Sequence, residues 1–167
     1  QILACIQTFL IKIRVDNKVS VDPSLGVYSH ATPTYKMTSD EYFENYNTKY
    51  DIIFIDGLHE NEQVYKDIKN SLKCLNNNGT IVCHDMSPEQ EGQQIVPRQQ
   101  KVWTGDCWKA WVNIRKEQNN LNMFVIDCDW GVGIIQKSNT KDLFKTDLEI
   151  NFQNLKNNRN NWLNLIS

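Results

Sequence analysis

Several features that mark common classes of protein are absent from this sequence or rare in it. Only seven of its 167 residues are glycine, and the first of them is Gly26. No glycine-rich turn therefore follows the first apolar stretch, residues 1–11. That stretch is broken by Gln7 and Thr8 and is too short to cross a bilayer, which takes about 20 apolar residues. It also lacks the basic start of a signal peptide, so we expect no membrane partner.

Positive charge is not concentrated at any point of the chain. Lys and Arg together number 18 against 20 Asp and Glu, which gives a formal net charge of −2 and a pI near 5.9. A domain that binds a phosphate backbone needs a basic patch or stripe. We therefore expect no nucleic-acid partner.

The cysteines are odd in number, and no two of them form a CxxC pair. They are Cys5, Cys74, Cys83, Cys107 and Cys128. Three of them fall inside predicted strands, where a free thiol packs like a small apolar side chain. This usage indicates reduced, buried thiols and a cytoplasmic protein.

The clearest pair of predicted elements is a strand at residues 51–55 followed by a helix at residues 60–75. Four apolar residues in succession at the end of the strand indicate burial on both faces. Apolar residues recur in the helix at spacings of four, four and three, with charge on its other face. The Asn-Asn-Asn-Gly run at 76–79 predicts a turn that ends the helix, and residues 80–83 are predicted as the next strand.

Other strands and helices alternate along the chain. Strands are predicted at residues 18–23, 35–37, 123–128 and 132–135, and helices from Thr38 to about Asn47 and over 106–116. The helix that starts at Thr38 has Glu41 at the spacing of a capping box. A C-terminal helix is predicted from the apolar positions Phe152, Leu155, Trp162, Leu163 and Ile166. The last two strands are predicted to form an antiparallel hairpin.

The N-terminal residues fit two structures. Residues 2–6 are a short buried strand, or residues 2–14 are one amphipathic helix. We favour the strand, because the sheet needs a central first strand. Alternating strands and helices then predict an α/β fold with a mostly parallel sheet and helices on both faces.

Residues 86–105 show no periodicity, and Pro88, Gly92 and Pro97 interrupt any helix or strand there. A structureless loop near twenty residues long is usually a lid or a binding loop. Tryptophans near this loop are more often packing residues than a substrate platform. They are Trp103, Trp108, Trp111 and Trp130.

Three acids end predicted strands: Asp22, Asp56 and Asp85. The carboxyl ends of parallel strands lie along one edge of a sheet, where ligands bind in open α/β folds. The simpler explanation is that Asp suits turns and helix caps. Three such acids together, two of them near His59 and His84, favour a functional site.

Each of these residues fits a known kind of chemistry. An acid at the end of the second strand, here Asp22, commonly binds the ribose hydroxyls of a nucleotide-like cofactor. Asp56, His59, His84 and Asp85 offer oxygen and nitrogen ligands to a divalent cation, with carboxylates suiting Mg²⁺ and imidazoles favouring Mn²⁺ or Zn²⁺. Without a metal, His59 is a candidate general base oriented by a carboxylate, or simply a histidine near a helix start that faces solvent.

Four segments together resemble a class I S-adenosylmethionine-dependent methyltransferase. They are Val21-Asp22-Pro23, Lys36 to Phe43, Phe54 to His59, and His84-Asp85. More narrowly, the chain is similar to a small family of Rossmann-like methyltransferases often found near glycan-biosynthesis genes, which residues 95–98 and 105–109 also resemble. The similarity runs from about residue 8 to the C-terminus.

The resemblance implies one Rossmann-like domain over residues 1–167, with a doubly wound sheet of about seven strands. The first and fourth strands would be central, and the C-terminal hairpin antiparallel. Members of the family carry an acid and glycines directly after the first strand, where the backbone approaches the cofactor. Leu3 and Ala4 lie near that position here, so we expect the N-terminal part to be truncated or degenerate.

The resemblance also implies roles for individual residues. S-adenosylmethionine would be bound by Asp22, by Ser39 and Asp40 beside the adenine, and by Asp56. A divalent metal, Mg²⁺ or Mn²⁺, would be bound by Asp56, His84 and Asp85, although His84 stands where relatives have an acid. His59, Asp56 and Asp85 are the expected catalytic residues.

The leading hypothesis is therefore an S-adenosylmethionine-dependent O-methyltransferase that acts on a sugar or another small-molecule hydroxyl. One alternative is a catalytically inactive methyltransferase-like domain that serves as a binding or assembly module. Another is a metal-dependent enzyme of different chemistry on the same fold. The sequence leaves a homodimer open.

Overall fold

The computed structural model describes residues 2–4, 15–23, 33–139 and 144–167. Within them, seven strands form one sheet in the order β2-β1-β3-β4-β6-β5-β7. The strands are β1 (Ile2–Ala4), β2 (Lys18–Ser20), β3 (Tyr50–Ile55), β4 (Leu75–Cys83), β5 (Leu121–Ile126), β6 (Val132–Lys137) and β7 (Leu165–Ile166). The described helices are α1 (Ser39–Asn45), α2 (Asn61–Cys74), α3 (Cys107–Glu117) and α4 (Phe152–Leu163), with a 3₁₀ turn at Glu91–Gln94.

Most strand pairs in this sheet are parallel. β1 pairs in parallel with β2 and β3, and β3 pairs in parallel with β4. β6 is antiparallel to both β4 and β5, while β7 is parallel to β5. The prediction of a mixed α/β fold with a mostly parallel central sheet is therefore confirmed.

The strand favoured for the N-terminus is present. Ile2–Ala4 form β1, which lies between β2 and β3. The position of the expected glycine turn, directly after β1, lies outside the described residues, and so does most of the competing helix at 2–14. The brief strand predicted at 35–37 is reduced to a single parallel bridge between Val21 and Tyr35.

Burial on both faces of β3 holds only for its second half. Ile53, Phe54 and Ile55 are buried, but Ile52 is 37% exposed. The prediction was wrong for Ile52, which lies beside the point where the register between β3 and β4 shifts.

The Asn-Asn-Asn-Gly run is part of a strand, not the predicted turn. β4 already begins at Leu75, which pairs with Tyr50, while Ile52 pairs with Thr80. Residues 76–79 are therefore extra length in β4 that bulges from the ladder. Buried Leu75 anchors the start of the strand, and a Cβ at Gly79 would lie 2.7 Å from the Leu75 side chain.

Three helices pack large side chains into the core. α2 contributes Val64 and Ile68, and α3 contributes Trp108 and Trp111, all of them buried as predicted. α4 contributes Trp162, whose ring centre is 6.2 Å from that of Trp108. Leu155 and Leu163, two other apolar positions from which this helix is predicted, are also buried.

Two predictions about single residues are wrong. Ile166 is not on the C-terminal helix, because α4 ends at Leu163, and Ile166 lies 45% exposed in β7. Cys128 is exposed, because it follows β5 in the tight connection to β6. Among the cysteines of the described residues, Cys74, Cys83 and Cys107 are buried and free, as predicted.

Residues 86–105 are held by specific hydrogen bonds and are not structureless. The carbonyl oxygen of Gln93 accepts from the backbone N–H groups of Thr104 and Gly105 at 2.9 and 3.1 Å. The Trp103 indole N–H donates to the Ile95 carbonyl at 2.7 Å. Hydrogen bonds within a loop leave no period in a sequence, which is why the order of this segment could not be predicted. None of the helices in the described residues is long and apolar enough to cross a membrane.

Candidate functional site

Asp56 and Asp85 follow two neighbouring strands, β3 and β4, and therefore lie at one edge of the sheet. Ile55 pairs with Cys83 at the ends of β3 and β4, so the next residues, Asp56 and His84, leave the sheet side by side. The backbone N–H of His84 donates to the Ile55 carbonyl at 3.0 Å, which ties the two strand ends together. Asp85 follows with a φ of 60°, a left-handed conformation that Asp tolerates better than most residues.

His59 bridges the two acids. Its Nε2 lies 3.0 Å from Asp56 Oδ1 and is hydrogen-bonded to it. Its Nδ1 lies 3.2 Å from Asp85 Oδ2 but is not aligned with it, and this buried nitrogen makes no hydrogen bond. His84 joins the group, with Nδ1 3.2 Å from Asp85 Oδ2 and 3.8 Å from Asp56 Oδ1. The four side chains predicted as one group are thus in contact, and we call them the His–Asp cluster.

Charge balance within the cluster favours protonated imidazoles. Burial works against the charged form of His59, but the hydrogen bond to Asp56 and the charge of Asp85 outweigh it and raise its pKa. The hydrogen bond to Asp85, against the opposing effect of burial and with the help of Asp129, raises the pKa of His84 to about 9. Asp129 Oδ2 lies 3.0 Å from His84 Nε2. Positive charge is therefore favoured between these carboxylates.

The segment that follows β4 packs directly onto His59. The Trp103 ring stacks on the imidazole, with centres 5.3 Å apart and planes 15° from parallel. Gly105 has a φ of +62°, and a Cβ there would lie 1.8 Å from the His59 carbonyl oxygen. Only glycine fits this contact. Trp103 and Gly105 were not predicted as site residues, because nothing in the sequence indicates which part of an aperiodic loop returns to the sheet edge.

Asp106 fixes the start of α2 from another element. Its Oδ1 accepts from the backbone N–H of Asn61 at 2.7 Å, and its Oδ2 lies 3.0 Å from Lys109 Nζ. The first helical N–H groups have no partner within their own helix, so this carboxylate acts as a cap from outside. The turn that carries His59 is therefore held between β3 and α3.

A cavity of about 520 Å³ lies beside the cluster, at the carboxyl end of β2 and β3. It is lined by Val21, Asp22, Pro23, Thr38, Ser39, Asp40, Asp56, Gly57, Leu58, Gln63 and Asp67. All four predicted cofactor-binding residues, Asp22, Ser39, Asp40 and Asp56, are among them. Asp85, His59 and His84 are not, so Asp56 is the residue that belongs to both the cavity and the His–Asp cluster.

Two lining residues on α2 were missed by sequence reasoning. Gln63 Nε2 lies 3.2 Å from Ser39 Oγ and 3.1 Å from both Asp40 Oδ1 and Asp67 Oδ1. Asp67 is only 2% exposed, and burial raises the pKa of its carboxyl. Its spacing of four from Gln63 was the available signal, since that spacing puts two polar residues on one helix face.

A second, larger cavity of about 600 Å³ lies elsewhere, around Asn77 and Asn78 at the start of β4. None of the predicted site residues lines it. The cluster and the smaller cavity, which share Asp56, therefore define the candidate site.

Three side chains of the cluster are close enough together to hold a metal ion. One ligand atom from each of Asp56, His59 and Asp85 lies within 4.8 Å of the others. The histidine in this set is His59, whereas the sequence prediction had named His84. The nitrogens of His84 face Asp85 and Asp129 at 3.2 and 3.0 Å, so His84 remains within reach of the same acids.

The residues of the candidate site fall within a segment that is similar to a known protein family. Residues 14–86 match a family model described as a methyltransferase domain. The match spans every residue predicted to bind cofactor, to bind metal or to take part in catalysis. A comparison with curated proteins gave no match. The match confirms the expected resemblance to S-adenosylmethionine-dependent methyltransferases for residues 14–86, which are somewhat less than half of the chain, while the link to glycan biosynthesis stays a prediction.

Proposed function

We propose that this chain, whose residues 14–86 carry a methyltransferase domain, transfers a methyl group from S-adenosylmethionine to a hydroxyl group of a sugar or another small molecule. The observation that carries the proposal is the sharing of Asp56. One cavity holds the four residues expected to bind the cofactor, and Asp56 joins it to a cluster able to deprotonate an acceptor. Two ligands bound on either side of Asp56 would be neighbours, which is the arrangement that group transfer needs.

The chemistry of the cavity fits the cofactor. Its volume of about 520 Å³ is within the usual range of about 300–1,000 Å³ for small-molecule sites. Asp22 lines the cavity and would bind the ribose hydroxyls, and the Ser39, Asp40 and Gln63 side chains offer donors and acceptors to the adenine. Among its described lining residues are four carboxylates and neither Lys nor Arg, which suits a positively charged ligand. S-adenosylmethionine supplies a methyl group on a positively charged sulfonium.

His59 in its neutral form is the proposed proton acceptor, with Asp56 and Asp85 orienting it. Because these carboxylates raise the pKa of His59, the neutral form becomes more populated as the pH rises. When the imidazole is neutral and Nε2 donates to Asp56, the lone pair of Nδ1 faces a carboxylate oxygen at 3.2 Å. Two acceptors that face each other repel, so this position favours a proton or a cation on Nδ1. The stacked Trp103 ring restricts rotation of the imidazole and limits water around it.

A divalent cation fits the same donor set. Asp56 and Asp85 with a histidine, either His84 as the sequence suggests or His59 as the distances favour, would bind Mn²⁺ or Mg²⁺. Such an ion would act as a Lewis acid toward the acceptor hydroxyl. The raised pKa values of His59 and His84 mean that protons compete with the ion for these ligands.

We further propose the finer features of the family fold for this chain. These are a single Rossmann-like domain and a doubly wound sheet with helices on both of its faces. The buried free thiols of Cys83 and Cys107 support a reducing, cytoplasmic setting. Gel filtration with light scattering would test the homodimer that the sequence leaves open.

Calorimetry with S-adenosylhomocysteine, the unreactive product, tests the cofactor site directly. We expect binding by the native chain and at least tenfold weaker binding by Asp22→Asn, since a hydrogen bond to a charged group contributes about 1.5–3 kcal/mol. Asp147→Asn is the matched control, because that exposed carboxylate is not among the residues lining the cavity. Absence of binding at millimolar concentration would contradict the proposed enzyme. It would favour the alternative, a catalytically inactive methyltransferase-like domain that serves as a binding module.

Manganese titration followed by electron paramagnetic resonance tests the metal site. We expect Asp85→Asn to weaken Mn²⁺ binding at least tenfold, with S-adenosylhomocysteine binding unchanged. Comparison of His59→Gln with His84→Gln then identifies the histidine ligand, because only the true ligand lowers the affinity strongly. If none of these variants changes the Mn²⁺ affinity, His59 acts without a metal.

A further inference from the structure

The part of the 86–105 segment that contacts His59, residues 93–105, carries only positive charge, whereas Glu89 and Glu91 lie in the part before it. Between Gln93 and Gly105 the charged residues are Arg98 and Lys101, and no acid occurs. This is the opposite of the proposed cofactor cavity, where the charged residues among the described lining are all carboxylates. The two sides of the site therefore suit ligands of opposite charge.

Arg98 is held in a fixed position on this segment. Its Nε donates to the Gln100 carbonyl at 2.9 Å, and its Nη2 donates to the Lys101 carbonyl. The centre of its guanidinium group lies 5.8 Å from the centre of the Trp103 ring, close enough for a cation–π contact. An exposed arginine held at two of its nitrogens has lost the mobility that usually makes ligand binding costly.

Arg98, Trp103 and His59 are linked by successive contacts. The guanidinium lies against the Trp103 ring, and that ring stacks on the His59 imidazole. Trp103 thus contacts both the positive group and the histidine of the His–Asp cluster. An anion bound by Arg98 would be near the cluster without direct contact with Asp56 or Asp85, whose charges would repel it.

We propose that the acceptor carries an anionic group, a carboxylate or a phosphate, and that Arg98 binds this group while the acceptor hydroxyl lies at His59. This deepens the proposed function and rests on it. The hydrogen bonds that Arg98 makes within its segment use Nε and Nη2, so the N–H groups of Nη1 are available for an acceptor oxygen. Arginine binds carboxylate and phosphate oxygens with charge-assisted hydrogen bonds, about twice as strong as neutral ones.

The competing explanation is that Arg98 only shapes the loop through its bonds to the carbonyls of Gln100 and Lys101. The two explanations differ in their effect on ligand charge. If Arg98 only shapes the loop, its substitution should weaken the binding of anionic and neutral ligands by the same factor. If Arg98 binds the anionic group, its substitution should weaken the binding of anionic ligands more than that of neutral ones. Arg98→Lys separates them further, because lysine keeps the charge but cannot reproduce both carbonyl bonds.

The test is calorimetry on the whole chain saturated with S-adenosylhomocysteine, with glucose, glucuronate and glucose 6-phosphate as probes. We expect glucuronate, glucose 6-phosphate or both to bind at least tenfold more tightly than glucose, and the better probe identifies the anionic group. Arg98→Gln should reduce that preference to threefold or less, and Arg98→Lys should restore part of it. Lys116→Gln, which removes an exposed positive charge from α3, is the control and should leave the preference intact.

Three results would overturn the proposal: binding of glucose as tight as that of both anionic sugars, no binding of either anionic sugar, or a preference that survives Arg98→Gln. The thermal midpoint of each variant is measured first, and variants within a few degrees of the native chain are compared. Loss of S-adenosylhomocysteine binding by the native chain would instead count against the proposed function. The anion preference can still be titrated in its absence, so the two failures are distinguishable.

Discussion

Gly105→Ala should push the 86–105 segment away from His59 and lower the free energy of unfolding. The size of both changes follows from the contacts of Gly105. An added Cβ would lie 1.8 Å from the His59 carbonyl oxygen and 2.6 Å from the His59 Cβ. Backbone atoms cannot rotate away as a side chain can, so the two segments must move apart by more than 1 Å to reach ordinary contact at about 3.5 Å. The left-handed φ of +62° adds roughly 1 kcal/mol for any residue with a Cβ.

The expected loss of unfolding free energy is about 3 kcal/mol or more, because the steric clash adds to the backbone cost. Urea denaturation followed by circular dichroism measures it. Gly92→Ala is the matched control in the same segment, since its Cβ would meet only the end of the flexible Gln100 side chain. That variant should lose less than about 0.5 kcal/mol.

S-adenosylhomocysteine binding gives the second reading for the same variants. Gly105 and His59 do not line the cofactor cavity, so a folded Gly105→Ala chain should keep its affinity within about threefold. Equal stability of the two alanine variants would refute the claimed contact between Gly105 and His59. A large loss of cofactor affinity would refute the separation between cavity and cluster.

Two further predictions concern stability. Thr38→Ala should cost about 1 kcal/mol by thermal denaturation, because it removes the capping box in which Thr38 Oγ1 accepts from the Glu41 N–H. The hydrogen bonds from the Thr38 backbone N–H and, second, from its hydroxyl lower the pKa of Glu41. Thr38→Ala removes only the hydroxyl, so its cost should be full above about pH 4.5 and should fall in part as the pH drops; a cost that stays constant down to pH 2 would contradict this. Asp67→Asn, in contrast, should stabilise the fold at neutral pH. Burial raises the pKa of Asp67, so its carboxylate destabilises the fold at neutral pH and not below about pH 3.8. Urea titrations at pH 7 and pH 3.5 should show the variant gaining stability relative to the native chain only at pH 7, and a gain of the same size at both would exclude the cause given.

The sequence predicted those parts of the molecule that follow a period or a local rule. The capping box of Thr38 and Glu41 is read from a spacing of three, and it forms as expected. The burial of Val64 and Ile68 is read from the helical period in the same way. The meeting of Asp56 and Asp85 follows from parallel strands, whose carboxyl ends share one edge of the sheet.

What could not be predicted depends on contacts between distant segments. Leu75 begins a strand and does not end a helix, because it pairs with Tyr50 across the sheet. The approach of Trp103 and Gly105 to His59 depends on hydrogen bonds to the Gln93 carbonyl, which no pattern of apolar residues encodes. Gln63 and Asp67 lie on the polar face of α2, and this face lines the cavity because Ser39 and Asp40 of α1 lie against it.

We infer that the proposed cofactor site and the proposed cation site meet at Asp56. Titration of Asp56→Asn with both S-adenosylhomocysteine and Mn²⁺ tests it most directly, because this carboxylate alone among the described residues lines the cavity and belongs to the cluster. We predict that both affinities fall at least tenfold, whereas Asp22→Asn affects only the cofactor analogue and Asp85→Asn only the metal. An Asp56→Asn chain that is folded and keeps both native affinities would contradict the claim.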